Sequence, residues 1–221
     1  MFRAMVWKEL REVRGIAIAT LAANVYLVAA GAGHSSVFLV VRVGGEMIPF
    51  IHDSFIALLG IVCAASAIAL GLRQTLGESI GGTYPFLLHR PATRGWLVGV
   101  KLLVGAAVYL ACNAVSILAY GVWAATPGMH PHPFFWWMTV PSWIVLFGML
   151  SLYLGAFLCG LRVGAWLGTR LLPLVGAALG TYMTIGVTMV QIQSVGLCLV
   201  AVLLVTLTTM IFFVARTREY S

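Results

Sequence analysis

The chain has 221 residues, of which 62% are hydrophobic and 9% are charged, and its net charge at pH 7 is +7. A soluble domain needs more polar residues than this to cover its surface, so the composition excludes a soluble globular protein. Six apolar stretches are each long enough to cross a bilayer, which takes about 20 residues of helix. The sequence therefore predicts an all-α polytopic membrane protein with a single transmembrane domain over residues 1–221.

An amphipathic helix is predicted at the N-terminus, over residues 1–14. Apolar residues fall on one face of this helix and charged residues on the other, and Trp7 is typical of a side chain that anchors a helix at the lipid headgroups. We expect this segment to form an interfacial elbow helix that lies along the membrane surface. The alternative is an ordinary basic flank to the first span.

Six transmembrane helices are predicted after the elbow helix, at residues 15–33, 51–72, 97–125, 140–161, 170–190 and 195–215. The third is longer than a bilayer requires, so we expect it to tilt or to extend beyond the hydrocarbon core. Residues 73–96, between the second and third spans, form the longest polar segment of the chain. Glycines, prolines and mixed charge in this segment indicate a structured turn that is too short for a domain.

The basic residues indicate how the spans are oriented. Twelve of the thirteen Lys and Arg residues fall on one side of the predicted membrane, and only Arg42 falls on the other. Cytoplasmic loops carry an excess of Lys and Arg, so we predict a multi-pass protein of the plasma (inner) membrane with both termini in the cytoplasm. These residues flank spans, where they meet anionic headgroups, so the net charge does not indicate nucleic-acid binding.

Ionisable residues are nearly absent from the predicted spans, which limits the functions that the chain can have. Lys101 is expected to extend to the interface from the inner end of the third span. Proton-coupled carriers and pumps usually need acidic or histidine residues at membrane depth. The sequence also lacks the HExxH motif of zinc enzymes. We therefore expect no enzymatic activity and no catalytic residue in this chain.

The predicted outer loop at residues 126–138 is rich in proline, histidine and aromatic residues. His130 and His132, with methionines beside them, are residue types that bind copper, zinc or haem. The alternative is that the aromatic residues form a belt at the lipid headgroups. On the second interpretation the chain binds no metal.

Two small residues in the fifth span, Gly176 and Gly180, are spaced four positions apart. Glycines at this spacing let two membrane helices approach closely. The pattern predicts either close packing within one subunit or contact between two subunits.

The polar segment and the N-terminus together resemble a known family. In permease subunits of ABC transporters of the ABC-two export type, an acidic residue, Thr-x-x-x-Leu, Pro-x-x-Arg and a lysine occur in this order between spans two and three. The matching residues here are Glu78, Thr83, Leu87, Pro91, Arg94 and Lys101. Residues 7–11, Trp-Lys-Glu-Leu-Arg, are similar to the start of that family's elbow helix. The predicted six-span topology with cytoplasmic termini resembles the family as well.

The resemblance implies that the chain is the membrane subunit of an ATP-driven exporter. It implies two partners, a second permease subunit in a homo- or heterodimer and a nucleotide-binding ATPase subunit, in addition to membrane lipids. The chain has no GxxxxGK[ST] phosphate loop, so ATP and Mg²⁺ are expected in the ATPase and no cofactor in this chain. The segment at 73–96 would be the coupling loop, in which Glu78, Arg90 and Arg94 transmit the motion of the ATPase.

Two other functions remain open from the sequence. One is an ATP-independent carrier or channel, in which transport persists without any ATPase subunit. The other is a non-transporting scaffold subunit of a larger membrane complex, which would keep a constant partner and show no nucleotide-dependent change of conformation.

Overall fold

The computed structural model describes residues 2–32, 48–50, 54–80, 94–126, 133–162, 169–189 and 193–217. Within these ranges the main elements are α1 (Phe2–Gly31), α2 (Phe55–Ile80), α3 (Arg94–Ala124), α4 (Val140–Leu161), α5 (Leu172–Met189) and α6 (Gln193–Thr217). A short 3-10 helix, Trp136–Thr139, leads directly into α4. Five of the helices are long and apolar enough to cross a membrane, and α5 is a shorter apolar helix. The prediction of an all-helical, polytopic membrane protein is confirmed.

The first three helices alternate in direction, as consecutive membrane spans do. Glu9 on α1 meets Lys101 on α3, and Asn24 meets Asn113 further along the same two helices, so α1 and α3 are parallel. Gln74 of α2 bonds to Lys101, whereas Ser66 bonds to Asn113, so α2 is antiparallel to both. We call the end of the bundle that holds residues 80 and 94 the inner end, after the predicted orientation.

Helix α4 occupies the centre of the bundle. It packs against α2, α3, α5 and α6, and most of its residues are buried. Small residues allow this close packing: a Cβ on Gly155 would lie 2.8 Å from the Cβ of Ala177 on α5. One on Gly71 of α2 would lie 2.6 Å from the carbonyl oxygen of Tyr153. Glycine therefore lets both neighbouring helices approach the central one.

The N-terminal segment differs from the prediction of a separate elbow helix. Residues 2–14 are the first turns of α1, which continues without a break to Gly31. No proline interrupts this stretch, and a lone Gly15 costs only about 1 kcal/mol in a helix. Met5, Glu9 and Val13 are buried against the rest of the bundle, so this face packs on protein instead of facing lipid.

Helices α2 and α3 both extend into the polar segment at 73–96. Helix α2 continues to Ile80 and α3 begins at Arg94, so only residues 81–93 lie between them. The reason is that Gln74 and Thr75 are buried and form hydrogen bonds inside the bundle, so their polarity does not end the helix.

Candidate functional site

A buried ion pair joins α1 to α3 near the inner end of the bundle. The ammonium group of Lys101 donates a hydrogen bond to Oε1 of Glu9 at 2.7 Å. Glu9 is 0% exposed and Lys101 is 4% exposed, so both charges are removed from solvent. The prediction that Lys101 extends to the interface is wrong, because Glu9 supplies a carboxylate within the protein interior.

Two further side chains extend this ion pair to α2 and α4. Gln74 on α2 donates from Nε2 to the backbone carbonyl of Lys101 at 3.0 Å. Its amide oxygen accepts a hydrogen bond of 2.8 Å from the hydroxyl of Tyr153 on α4. We call Glu9, Gln74, Lys101 and Tyr153 the inner polar cluster. It connects four of the six helices through side chains that are all buried.

Glycine makes room for this cluster. Gly105 lies one turn after Lys101 on α3, and a Cβ there would overlap the hydroxyl of Tyr153 and the amide oxygen of Gln74. The absence of a side chain at Gly105 lets both polar groups reach the α3 backbone. Tyr153 also lies 3.2 Å from the carbonyl oxygen of Leu102, which brings the α4 side chain directly onto that helix.

Two residues of the inner polar cluster, Gln74 and Lys101, lie on the helices that flank residues 81–93. Gln74 is six residues before Ile80, the last residue of α2, and Lys101 is seven residues after Arg94, the first of α3. We call these two stretches of helix the stems; at helical rise the first is about 9 Å long and the second about 10.5 Å. The two helices that lead into and out of residues 81–93 are therefore bonded to each other at the base of the stems.

A second polar cluster lies further along α1, α2 and α3. Asn24 on α1 donates from Nδ2 to Oδ1 of Asn113 on α3 and to the carbonyl oxygen of Cys112, both at 3.1 Å. Asn113 in turn donates to the hydroxyl of Ser66 on α2 at 3.3 Å. Hydrogen bonds of this kind hold membrane helices together where apolar contacts alone are not specific.

An apolar cavity of about 680 Å³ opens between α2, α4 and α5. The residues around it include Ala64, Met149, Leu152, Ala178, Met183 and Gly186. The hydroxyl of Thr181, also on its wall, is already hydrogen-bonded to Ser151 and to the carbonyl oxygen of Gly148. The cavity therefore offers an apolar surface to a ligand.

Most of the predicted coupling residues lie outside the described ranges. Thr83, Arg90 and Pro91 fall between α2 and α3 in the part of the chain that is not described. Glu78 lies in the last turn of α2 and Arg94 is the first residue of α3, and their side chains are likewise outside the description. Their roles remain predictions.

The described helices include three other residues that were predicted from the sequence, Trp7, Gly176 and Gly180. Trp7 is 68% exposed on the surface of α1, and its role as a membrane anchor remains a prediction. Gly180 packs against Leu203 of α6 in the same chain, with a Cβ position only 3.0 Å from that side chain. Gly176 faces no other atom within 4 Å of a Cβ. Of the two glycines, Gly180 therefore lies at a close contact between helices of this chain and Gly176 does not.

The histidine loop is described only in part. His130 and His132 lie outside the described residues. Trp136 and Trp137, which follow them, are 54% and 64% exposed. Among the residues described, no group of three or more His, Cys, Asp or Glu side chains is placed to hold a metal ion.

The sequence did not predict a functional role for Glu9, Gln74 or Tyr153. A signal was present for Glu9, because it sits between Met5 and Val13 at four-residue spacing, on the face that otherwise holds apolar side chains. A buried acid on such a face needs a cationic partner. Only the fold shows that the partner is Lys101, 92 residues away.

Comparison with protein-family models, with curated proteins and with solved structures finds no match to this chain.

Proposed function

We propose that this chain is the membrane-spanning permease subunit of an ABC exporter of the ABC-two type, driven by a separate ATPase. The observation that carries the proposal is the position of the inner polar cluster. It fastens together the two helices that flank residues 81–93, where the sequence resembles a coupling loop, and extends that connection to α1 and α4. A segment that receives force from a soluble partner can pass it on to the bundle if the helices that flank it are held together in this way.

The proposed mechanism assigns one role to each part of the chain. Two permease subunits form the path across the plasma membrane, and the segment containing Arg90 and Arg94 rests on the cytoplasmic ATPase. Binding of ATP and Mg²⁺ by the ATPase pushes this segment, and the helices rock between inward- and outward-facing arrangements. The first turns of α1, with Trp7 exposed, take the place of the family's elbow helix.

The cargo class that we propose is a lipid or another amphiphile. The cavity beside α5 is lined almost wholly by apolar side chains and opens at the side of the bundle. An apolar molecule could enter it directly from the membrane, whereas a charged solute would lose its hydration without gaining a partner there.

An ion-coupled carrier is the second candidate, and the Glu9–Lys101 pair favours it. Buried ionisable residues in membrane helices often mark ion or proton pathways. A carrier of this kind would transport cargo without any ATPase. Transport by the purified chain alone in liposomes would favour the carrier over the exporter.

The exporter proposal can be tested by photo-cross-linking in native membranes. A benzophenone amino acid at Tyr84, in the segment between α2 and α3, should capture a soluble protein that carries a phosphate-binding loop. The matched control is the same replacement at Tyr182, which is 75% exposed on α5. Capture of such an ATPase from Tyr84 but not from Tyr182 is expected. Capture of membrane proteins alone at both positions would contradict the proposal.

A further inference from the structure

We propose that the inner polar cluster is the joint through which movement of residues 81–93 reaches α1 and the central helix α4. The inference rests on the proposed permease function for the origin of the movement. The joint itself is a property of the described helices. Its evidence is the chain of contacts from α2 and α3 outward to the other helices.

The first step is that α2 and α3 are bonded to each other at the base of their stems. Gln74 donates to the carbonyl oxygen of Lys101 at 3.0 Å, and the ammonium group of Lys101 lies 3.5 Å from the carbonyl oxygen of Gln74. These contacts run in both directions between the same two residues. A push on residues 81–93 therefore moves both stems together instead of spreading them.

The second step is that α1 must follow α3. Glu9 and Lys101 are both buried, so separating them would break a hydrogen-bonded ion pair inside the protein. Around the pair, Met5 of α1 packs in one apolar cluster with Leu97 and Val100 of α3. The ion pair fixes the register of two parallel helices whose other contacts here are apolar and unspecific.

The third step leads from the joint to the cavity. Tyr153 binds Gln74 through its hydroxyl, and it is adjacent to Leu152 on α4, which lines the cavity together with Met149 one turn earlier. Displacement of Tyr153 therefore displaces one wall of the cavity. The contact carries movement at the inner end to the surface on which the proposed cargo would lie.

The test replaces the ion pair by apolar side chains of similar length, in the variant E9M/K101M. Replacing both partners of a buried pair usually preserves folding, whereas removing one leaves a buried charge alone. The matched control is K8M/E12M, which makes the same substitutions in the pair Lys8–Glu12 on α1, whose side chains are 42% and 31% exposed. Elution of both proteins as single, monodisperse species establishes that they are folded.

The joint is measured first without any ATPase. Nitroxide labels are attached at Arg11→Cys on α1 and Arg73→Cys on α2, two exposed positions, in nanodiscs. Cys198 is replaced by serine because it is the exposed one of the four cysteines. The distribution of the distance between the labels should stay narrow in the unaltered pair and in K8M/E12M, and broaden in E9M/K101M. An equally narrow distribution in E9M/K101M would overturn the proposal that the inner polar cluster is the joint.

The transmission is measured next in the complex with its ATPase. An environment-sensitive fluorophore at Tyr182→Cys, beside the cavity, should respond when ATP and Mg²⁺ are added. We expect the response to fall about fivefold or more in E9M/K101M and to be unchanged in K8M/E12M. An undiminished response in E9M/K101M would overturn the proposal. If no ATPase is found or the unaltered complex does not respond, the proposed permease function fails. The distances between the labels still decide whether the inner polar cluster holds the helices together.

Discussion

Glu9 and Lys101 lie 92 positions apart in the chain, yet their charged groups meet at 2.7 Å in the interior of the protein. A buried ion pair contributes little net stability, because the loss of hydration offsets the attraction between the charges. Its value lies in specificity. The contact between Glu9 and Lys101 fixes the register of α1 against α3.

The first prediction concerns the free energy of unfolding of variants of this pair. Lys101→Met should lower it by about 3–5 kcal/mol, because the buried carboxylate of Glu9 loses its hydrogen-bonded ion pair with the Lys101 ammonium group. The double variant E9M/K101M should lie within about 1 kcal/mol of the unaltered protein. Reversible unfolding in mixed micelles measures both values.

The coupling between the two substitutions is the decisive quantity in this experiment. The double variant should be more stable than the sum of the single changes predicts. Strictly additive losses would show that the two residues do not interact, contrary to the structure. The variant K8M/E12M serves as the control, since an exposed pair contributes about 0–1 kcal/mol.

The second prediction concerns the space at Gly105. Gly105→Ala should destabilise the protein by about 1–3 kcal/mol, because the new methyl group overlaps the hydroxyl of Tyr153 and the amide of Gln74. Gly176→Ala is the control, because that position is open and alanine is the better helix former. Thermal unfolding of both variants in the same detergent measures the difference. Equal melting temperatures would contradict the packing described here.

The third prediction concerns the hydrogen bonds of Asn24. Asn24→Leu removes two hydrogen bonds to α3 and leaves the amide oxygen of Asn113 without this donor. We expect a loss of about 1–2 kcal/mol, in line with bonds of about 0.6 kcal/mol each between membrane helices plus the burial of an unsatisfied group. Thr206→Val, which removes an exposed hydroxyl bonded only within α6, should change stability far less. A loss as small as that of Thr206→Val would show that the Asn24 bonds do not stabilise the bundle.

The fourth prediction concerns the orientation in the membrane. A cysteine introduced at position 130, in the predicted outer loop, should react with a membrane-impermeant maleimide added to intact cells. A cysteine at position 220, near the C-terminus, should react only after the cells are opened. These outcomes are expected because the bias of Lys and Arg predicts cytoplasmic termini. The reverse labelling pattern would show that the protein has the opposite orientation.

The sequence predicted the helices well and their junctions less well. Apolar stretches locate spans because a bilayer imposes a minimum length, and all six predicted spans coincide with helices. Helices α1 and α2 extend beyond the predicted span ends at Gly15 and Leu72. In these extensions the polar residues Glu9, Gln74 and Thr75 are buried and form hydrogen bonds. Polarity alone does not separate a buried polar side chain from a solvated one.

The site was harder to predict, because it consists of single residues from four different helices. Gln74 and Tyr153 belong to no motif, and their contact depends on the close approach that Gly71 and Gly105 allow. Local patterns carry no information on which helices become neighbours. The roles of Glu78, Arg90 and Arg94 in coupling to an ATPase remain predictions.

The measurement that tests the central proposal most directly is mass spectrometry of the proteins that co-purify with this chain from its native membrane in mild detergent. We expect a soluble subunit in stoichiometric amount that carries a GxxxxGK[ST] phosphate loop. Recovery of the chain alone, or only with other membrane subunits, would contradict the exporter proposal and favour a carrier or a scaffold.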